Sequence, residues 1–137
     1  LLEKKSGLYG MSGGISNDLR DVEAAADAGN DDAANAILSY AYSIKKYIGA
    51  YAAAMGGLDA VVFAGGIGTN SPTVRALSLA GLEFLGIRLD GEKNRHAFPG
   101  RDISIDDSPV RIFVVETNEE LMIARDTKEV LGNEGLL

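Results

Sequence analysis

The chain has 137 residues, which is enough for one domain with a hydrophobic core but short for two. Thirteen basic and twenty acidic residues give a formal net charge of −7, which argues against nonspecific binding to nucleic acid or to anionic membranes. The sequence has no cysteine, so disulfides, thiolate catalysis and cysteine-bound metals are excluded.

The first part of the chain predicts glycine-rich turns and then two helices. Glycine and serine dominate residues 6–17, a composition typical of turns, and residues 18–28 follow as an alanine-rich helix that Gly29 ends. Asn30 or Asp31 is suited to cap a second helix, which should end at the Gly56-Gly57 pair. Its predicted buried face carries Ala34, Ile37, Leu38, Ala41, Ile44, Ile48, Tyr51, Ala52 and Met55.

Residues 59–71, DAVVFAGGIGTNS, combine a short apolar run with a glycine-rich turn. Residues 61–64 do not alternate in polarity, so they predict a strand buried on both faces. Glycines 65, 66 and 68 can adopt positive φ and approach a ligand closely. The helix predicted to open at Ser71-Pro72 would direct free N–H groups back at the turn. This arrangement favours a nucleotide or another phosphate-bearing ligand, although a simple tight connection has the same glycines.

The C-terminal part predicts two strands and one helix. Residues 87–90 are a short strand candidate, residues 91–101 are polar and predict a loop, and residues 110–115 predict a second buried strand. Thr117 and Glu120 match a capping box, which predicts a helix over residues 118–131. Helices that alternate with apolar strands indicate an α/β fold.

Asp18 and Arg20 lie where a loop becomes a helix, and they have two interpretations. In the first, Asp18 caps the helix and Arg20 pairs with Asp21 or Glu23 on the surface. In the second, both side chains bind a polar ligand, since a guanidinium suits phosphate or stacking on a base.

Glu119 and Glu120 follow the second strand at the first turn of a helix, where acids complement the helix dipole. A carboxylate at the end of a strand is also suited to hold a hydrated magnesium ion. His96 is the one histidine of the sequence and has no acid at motif spacing. We therefore expect it on the solvent-exposed surface and not in a catalytic site. Arg75 lies one helical turn past Ser71, where it would reach a phosphate or balance nearby acids.

A dinucleotide-binding domain is a separate hypothesis for the glycine turn. Gly66 and Gly68 have the right spacing, and Asp90 follows the next strand candidate, where a ribose-binding acid would lie. Ser71, however, stands where the third glycine of that motif belongs. The turn-rich start also counts against the hypothesis, because this glycine turn should follow the first strand of such a domain.

Three stretches, SGLYGMSGGISNDLRD, IKKYIGAYAAAMGGLDAVVFAGGIGTNSPTVR and TNEELMIARDT, closely resemble the C-terminal part of acetate kinases and related carboxylate kinases. The resemblance runs from about residue 4 to about residue 128. It implies that residues 1–137 form a single C-terminal nucleotide-binding domain without its N-terminal partner domain.

The resemblance implies a ribonuclease-H-like domain of the sugar kinase–actin superfamily, with a mixed sheet flanked by helices. It implies phosphoryl transfer between ATP and acetate, giving ADP and acetyl phosphate, with Mg²⁺ as cofactor. The magnesium-linked glutamate of the TNEE motif falls on Glu119. The implied nucleotide-binding residues are Asp18, Leu19, Arg20, Gly66, Ile67, Gly68, Thr69, Asn70 and Arg75.

The sequence departs from the family pattern at three points. Thr69 replaces the acid of the usual GGIGEN loop, and Glu116 stands where the family often has proline. The family's acetate pocket, its phosphoryl-stabilising arginines and histidine, and an aspartate near the reaction centre all lie upstream, with no counterpart here. We therefore expect no catalytic residue in this chain, and no turnover of acetate by the chain alone.

The resemblance further implies a homodimer, the missing N-terminal domain as partner, and acetate, propionate or butyrate as substrate. A cytoplasmic location is expected, because the absence of cysteine fits a reducing compartment and no apolar run approaches the ~20 residues of a membrane span. Two other functions stay open: a non-catalytic assembly module that uses the apolar faces of helices 31–55 and 118–131, and a dinucleotide-dependent oxidoreductase.

Overall fold

The computed structural model describes residues 5–133. This part of the chain combines helices with one sheet that contains a parallel strand pair, so the predicted α/β class is confirmed. None of the described helices is long and apolar enough to cross a membrane. The elements are α1 (Gly7–Met11), α2 (Leu19–Asp27), α3 (Asp31–Met55), β1 (Ala60–Phe63), α4 (Gly65–Asn70), α5 (Pro72–Leu79), a 3₁₀ turn (Glu83–Leu85), α6 (Gly91–Arg95), β2 (Arg101–Asp102), β3 (Arg111–Val114) and α7 (Glu119–Asn133).

The three strands form a mixed sheet in the order β1-β3-β2. β1 runs parallel to β3, with Phe63 opposite Val114, whereas β2 runs antiparallel to β3. Because β1 and β3 are parallel neighbours, the segments that leave their carboxyl ends begin at the same edge of the sheet. That edge carries both the glycine-rich segment and the segment leading to Glu119. The strand predicted over 87–90 is present only as isolated bridges, at Ile87 and Leu89.

β1 is buried on one face, so the prediction of a strand buried on both faces is wrong. Phe63 is 7% exposed and belongs to a core cluster, but its neighbour Val62 is 57% exposed. Successive side chains of a strand point to opposite faces, and only one face of β1 packs against Leu79, Leu82 and Ile112 within the described residues. Apolar composition alone did not reveal this asymmetry.

The predicted helices α2 and α3 are confirmed, together with the residues that cap them. The Asp18 carboxylate accepts from the backbone N–H of Arg20, and the Asn30 side chain accepts from Ala33 N. Gly56, at φ +75°, ends α3 in the left-handed conformation that glycine adopts without strain. A hydrophobic core lies between α2, α3 and α5, and its buried residues include Val22, Ala33, Ala36, Ile37 and Val74.

Only three of the nine residues on the predicted apolar face of α3 are buried, and three are exposed. Leu38, Tyr51 and Met55 are more than half exposed, whereas Ala33 and Ala36 are fully buried. The helix is 25 residues long, and the helices that pack on it cover mainly its N-terminal half. Three-and-four spacing therefore identified the helix, but which residues are buried depends on what covers it.

Two further predictions need correction. The sequence predicts a loop over residues 91–101, but this range contains α6 and the first residue of β2. The Asp90 carboxylate accepts from Glu92 N and Lys93 N and so caps the short helix α6. The capping box at Thr117 is also displaced by one residue. Asn118 Oδ1 accepts from Leu121 N at 2.9 Å, so Asn118 is the cap and α7 begins at Glu119.

Candidate functional site

A cleft of about 630 Å³ opens between the start of α2 and the segment that joins β1 to α5. It brings together the Asp18–Arg20 motif and the glycine-rich segment, which are far apart in the sequence. Gly68, Thr69, Arg75 and Glu119 do not line it. The lining residues are Asp18, Leu19, Arg20, Glu23, Gly66, Ile67, Asn70 and Ser71.

Asp18 and Arg20 form a charge pair at the mouth of this cleft. Arg20 Nη2 lies 2.5 Å from Asp18 Oδ2, and Arg20 Nε donates to Asp18 Oδ1 at 3.0 Å. The hydrogen bond from the Arg20 side chain, followed by the one from its backbone N–H, lowers the pKa of Asp18 to about 2. The same pairing raises the pKa of Arg20. The pair is fully ionised near neutral pH, and the guanidinium, 85% exposed, is oriented yet open to solvent.

The interpretation that Arg20 pairs with Asp21 or Glu23 is wrong. Asp21 accepts a hydrogen bond from Ser16 Oγ at 2.7 Å, and Glu23 Oε1 accepts one from Ser71 Oγ at 2.6 Å. Asp18 therefore both caps α2 and holds Arg20.

The glycine-rich segment is the short helix α4 and not an open turn, which corrects the prediction. Among its three glycines only Gly65 has positive φ, at +70°. Gly68 allows a close approach, since a Cβ there would lie 3.2 Å from the carbonyl carbon of Phe63. Gly66 faces open space and lines the cleft. Gly65 therefore allows the backbone conformation, Gly68 allows a packing contact, and Gly66 leaves the cleft wall open.

Glu23 and Ser71 bridge the two sides of the cleft. Besides donating to Glu23, the Ser71 hydroxyl accepts from Val74 N at 3.1 Å and so caps α5, as the Ser71-Pro72 start predicted. That cap occupies one of the N–H groups expected to face the glycine segment. Sequence reasoning missed Glu23 as a cleft residue. Its position one turn after Leu19 and Arg20 places it on the same helix face, but nothing in the sequence indicates Ser71 as its partner.

Arg75 is buried behind the glycine segment, with an exposure of 2%. Its Nη1 donates to the carbonyl oxygens of Gly68 and Thr69 at 2.8 and 2.9 Å, and its Nε donates to Asn94 Oδ1 at 2.7 Å. Burial lowers the pKa of this guanidinium. Arg75 thus contacts the segment and not the open cleft.

Thr69 and Asn70 connect the segment to its surroundings. Thr69 Oγ1 donates to the carbonyl oxygen of Val115 at 3.4 Å, just past the end of β3. Asn70 Nδ2 donates to Gly66 O at 2.9 Å within α4. The contact from Thr69 places the segments after β1 and β3 side by side. The sequence motif at 65–70 and the one at 117–120 therefore leave the sheet together.

Glu119 is exposed at the first turn of α7. The described residues contain no group of three acidic or histidine side chains placed to hold a metal ion. A lone exposed carboxylate still fits Mg²⁺, because that ion keeps several waters and is held by one or two carboxylates together with substrate phosphates. His96 is 79% exposed, which confirms its assignment to solvated surface.

Residues 1–125 match the Acetokinase family. The chain belongs to this family. It is 53% identical over 137 residues to the acetate kinase of Thermotoga maritima, with 98% of this chain and 34% of that protein covered. It is 52% identical to the acetate kinase of Methanosarcina barkeri, with 100% of this chain and 33% of that protein covered. This member of the acetokinase family thus spans about a third of the length of the curated relatives it matches.

Solved acetokinase-family structures are similar to this chain. The acetate kinase of Porphyromonas gingivalis superimposes with a TM-score of 0.87 at 48% identity, covering 96% of this chain and 33% of that one. A propionate kinase from Francisella tularensis superimposes with a TM-score of 0.80 at 38% identity, covering 90% of this chain and 31% of that one.

Proposed function

We propose that this chain is the nucleotide-binding part of an acetate kinase, which transfers a phosphoryl group between ATP and acetate to give ADP and acetyl phosphate. The observation that carries the proposal is the single cleft lined by both the Asp18–Arg20 motif and the glycine-rich segment. Family membership supports the reaction class, and the kinases it resembles give acetate and propionate as the substrates to test first.

Each side of the cleft suits a different part of the nucleotide. Leu19 and Ile67 offer apolar surface, and the exposed Arg20 guanidinium is suited to stack on a base. Asp18 is ionised and can accept from a ribose hydroxyl. The open backbone at Gly66, with Asn70 beside it, would approach the phosphates, whereas Gly68, Thr69 and Arg75 would hold that backbone in place.

Glu119 would bind the hydrated magnesium ion. It begins the helix that follows β3, at the sheet edge where Thr69 contacts Val115. The ion would neutralise charge on the phosphoryl oxygens during transfer. This chain's own contribution is one carboxylate that orients the bound waters.

The proposal extends to the whole protein. The domain would adopt the ribonuclease-H-like fold of the sugar kinase–actin superfamily and would form a cleft with an N-terminal domain that supplies the acyl pocket. We place the protein in the cytoplasm, where ATP and short carboxylates are available. In this arrangement the 137-residue chain contributes binding and the other domain contributes catalysis.

A titration of the chain with ATP, ADP and NAD, each with and without Mg²⁺, tests the proposal. We expect ATP and ADP to bind and Mg²⁺ to strengthen ATP binding. Arg20→Met should weaken the binding of both nucleotides. Arg95→Met, which removes an exposed arginine of α6 outside the cleft, should leave their affinities unchanged. Absence of ATP and ADP binding by the folded chain would contradict the nucleotide-binding role.

A second candidate function is that of an assembly module, and the exposed aromatic side chains of α3 favour it. Tyr47 and Tyr51 stack at a centroid distance of 6.1 Å, and both are more than 60% exposed. Exposed aromatic clusters of this kind are typical of protein–protein interfaces. Sedimentation should detect a dimer that Tyr47→Ser and Tyr51→Ser dissociate. Phe84→Ser, which removes an even more exposed aromatic side chain outside α3, should leave the dimer intact.

The dinucleotide hypothesis receives little support from the site. Asp90, the proposed ribose ligand, does not line the cleft, and its Oδ1 is occupied in capping α6. The NAD arm of the titration tests this hypothesis directly. Binding of NAD in preference to ATP would replace the kinase proposal with an oxidoreductase.

A further inference from the structure

We propose that Asn94 is a positioning residue for the nucleotide-binding segment, acting through Arg75. This inference rests on the proposed nucleotide site and adds a residue of α6 that lies outside it. Asn94 is 4% exposed, and its carboxamide makes two hydrogen bonds to α5. Its Oδ1 accepts from Arg75 Nε, and its Nδ2 donates to the carbonyl oxygen of Pro72 at 2.9 Å.

Asn94 fixes the plane of the Arg75 guanidinium. The carbonyl oxygen of Asn94 accepts from Arg75 Nη2 at 2.9 Å, so this one residue binds two of the three guanidinium nitrogens. A guanidinium is rigid and planar, and two fixed nitrogens determine where the third points. The third, Nη1, is directed at the carbonyl oxygens of Gly68 and Thr69.

Those two carbonyls belong to the C-terminal end of α4, where helix carbonyls have no partner within the helix. Arg75 supplies both the donors and a positive charge at this end of the helix. Gly66 and Ile67, the two residues just before Gly68 on the same short helix, line the cleft. Holding the end of α4 therefore sets the position of the cleft wall.

None of the ion pairs among residues 5–133 includes Arg75, so no carboxylate of that range lies close enough to pair with its charge. A buried guanidinium without a carboxylate depends on every oxygen that faces it. Loss of the Asn94 side chain would leave Nε without an acceptor, so that on this side only the backbone carbonyl bound to Nη2 would still orient the guanidinium. The expected effect is on the geometry of the nucleotide segment as well as on stability.

The test compares Asn94→Ala and Arg75→Lys with wild type, using the 137-residue chain. Arg75→Lys keeps the charge and the aliphatic stem, so it serves if Asn94→Ala does not fold. Calorimetry with ADP should give a Kd about tenfold higher in either variant, the effect of losing one hydrogen bond to a charged group. Asn30→Ala is the matched control, because it removes a helix cap from α3 at a residue that does not line the cleft, and it should leave the Kd unchanged.

A second readout needs no nucleotide. In ¹H–¹⁵N spectra of the free chain, the amide resonances of Gly66 and Ile67 should shift in Asn94→Ala and in Arg75→Lys but stay in place in Asn30→Ala. If wild type fails to bind ADP, the proposed function is wrong, and these shifts alone decide whether Asn94 positions α4. Unchanged resonances together with a wild-type Kd in a folded Asn94→Ala or Arg75→Lys variant would overturn the inference.

Discussion

Asp18 matters for orientation more than for stability. Exposed ion pairs contribute little to folding, because solvent screens them and ordering two side chains costs entropy. The Asp18–Arg20 pair is of this exposed kind, yet it has several hydrogen bonds from one residue to the other. A guanidinium held in one direction at the mouth of the cleft loses less freedom when a ligand binds to it.

The first prediction is that the Asp18 carboxyl titrates with a midpoint near pH 2 in the folded chain. Its folded pKa lies below the ordinary aspartate value, so its stabilising contribution is present above that ordinary value. The contribution is lost as the pH falls towards 2. ¹³C NMR of the side-chain carboxyl group would measure the midpoint.

Arg20→Met should move that midpoint upward, because the largest cause of the shift is the hydrogen bond from the Arg20 side chain. Arg95→Met is the matched control, since Arg95 pairs with Glu92 on α6. A midpoint for Asp18 that is identical in wild type and Arg20→Met would show that another group ionises it.

The second prediction concerns Ser71, whose hydroxyl both caps α5 and donates to Glu23. Ser71→Ala should lower the free energy of unfolding by about 1 kcal/mol, the usual cost of an N-cap. Glu23→Ala should cost less, because the cap to Val74 survives. Urea unfolding would measure both, with Ser43→Ala, an exposed hydroxyl on α3, as control. Equal losses in the Ser71 and Ser43 variants would contradict the prediction.

At the scale of elements, α4 combines a packing contact with residues that line the cleft. Gly68 faces the backbone of β1, and Gly66 faces the cleft. Both have ordinary helical φ, so the absence of a side chain matters for space rather than for conformation. Alanine at these two positions should therefore separate stability from binding.

The third prediction is that Gly68→Ala destabilises the chain whereas Gly66→Ala does not. A Cβ on Gly68 would lie 3.4 Å from Phe63 Cβ and closer still to the Phe63 carbonyl carbon. Overpacking against this buried strand costs about 1–3 kcal/mol, which outweighs a gain in helix propensity of about 0.5–1 kcal/mol. Gly66→Ala should instead keep stability and weaken ADP binding, because its methyl group enters the cleft. Thermal unfolding and calorimetry would measure the two effects. If Gly66→Ala lowered stability and Gly68→Ala weakened ADP binding instead, Gly66 would be the packing glycine and the prediction would be wrong.

Local sequence signals predicted the elements whose ends are fixed locally. The caps Asp18 and Asn30 and the stop at Gly56 are set by neighbouring residues, and all three are confirmed. The helix α6 was missed although Asp90 caps it, because its polar sequence carries no apolar periodicity. Burial of β1 and α3 was predicted less well, since it depends on which elements pack against each face.

At the scale of the whole molecule, the parallel pairing of β1 with β3 is what brings the motifs to one edge. The sequence predicted both strands and their motifs, and from these the shared edge could be anticipated. It did not predict Glu23 or Asn94, whose partners Ser71 and Arg75 are distant in sequence. Such contacts are properties of the folded chain and leave no local pattern.

The last prediction is that the chain alone binds ADP but forms no acetyl phosphate from ATP and acetate. Phosphoryl transfer requires positive charge on the equatorial oxygens and a positioned acceptor. Arg20 is the one cationic residue that lines the cleft in the described part of the chain. A hydroxamate assay on the chain should therefore give no signal above background.

This chain should support the proposed reaction when the rest of an acetate kinase is supplied. Replacing the matching third of the Thermotoga maritima acetate kinase with this chain, at 53% identity, provides the other two thirds of a known acetate kinase. The folded chimera should form acyl phosphate only when both ATP and acetate are present. In this chimera, Glu119→Gln should lower the rate at limiting Mg²⁺, because the carboxylate that would bind the ion is lost. Glu129→Gln, an acid farther along the same exposed helix, is the matched control. Turnover by the chain alone, or an inactive but folded chimera, would contradict the proposal that this chain binds the nucleotide and another domain supplies catalysis.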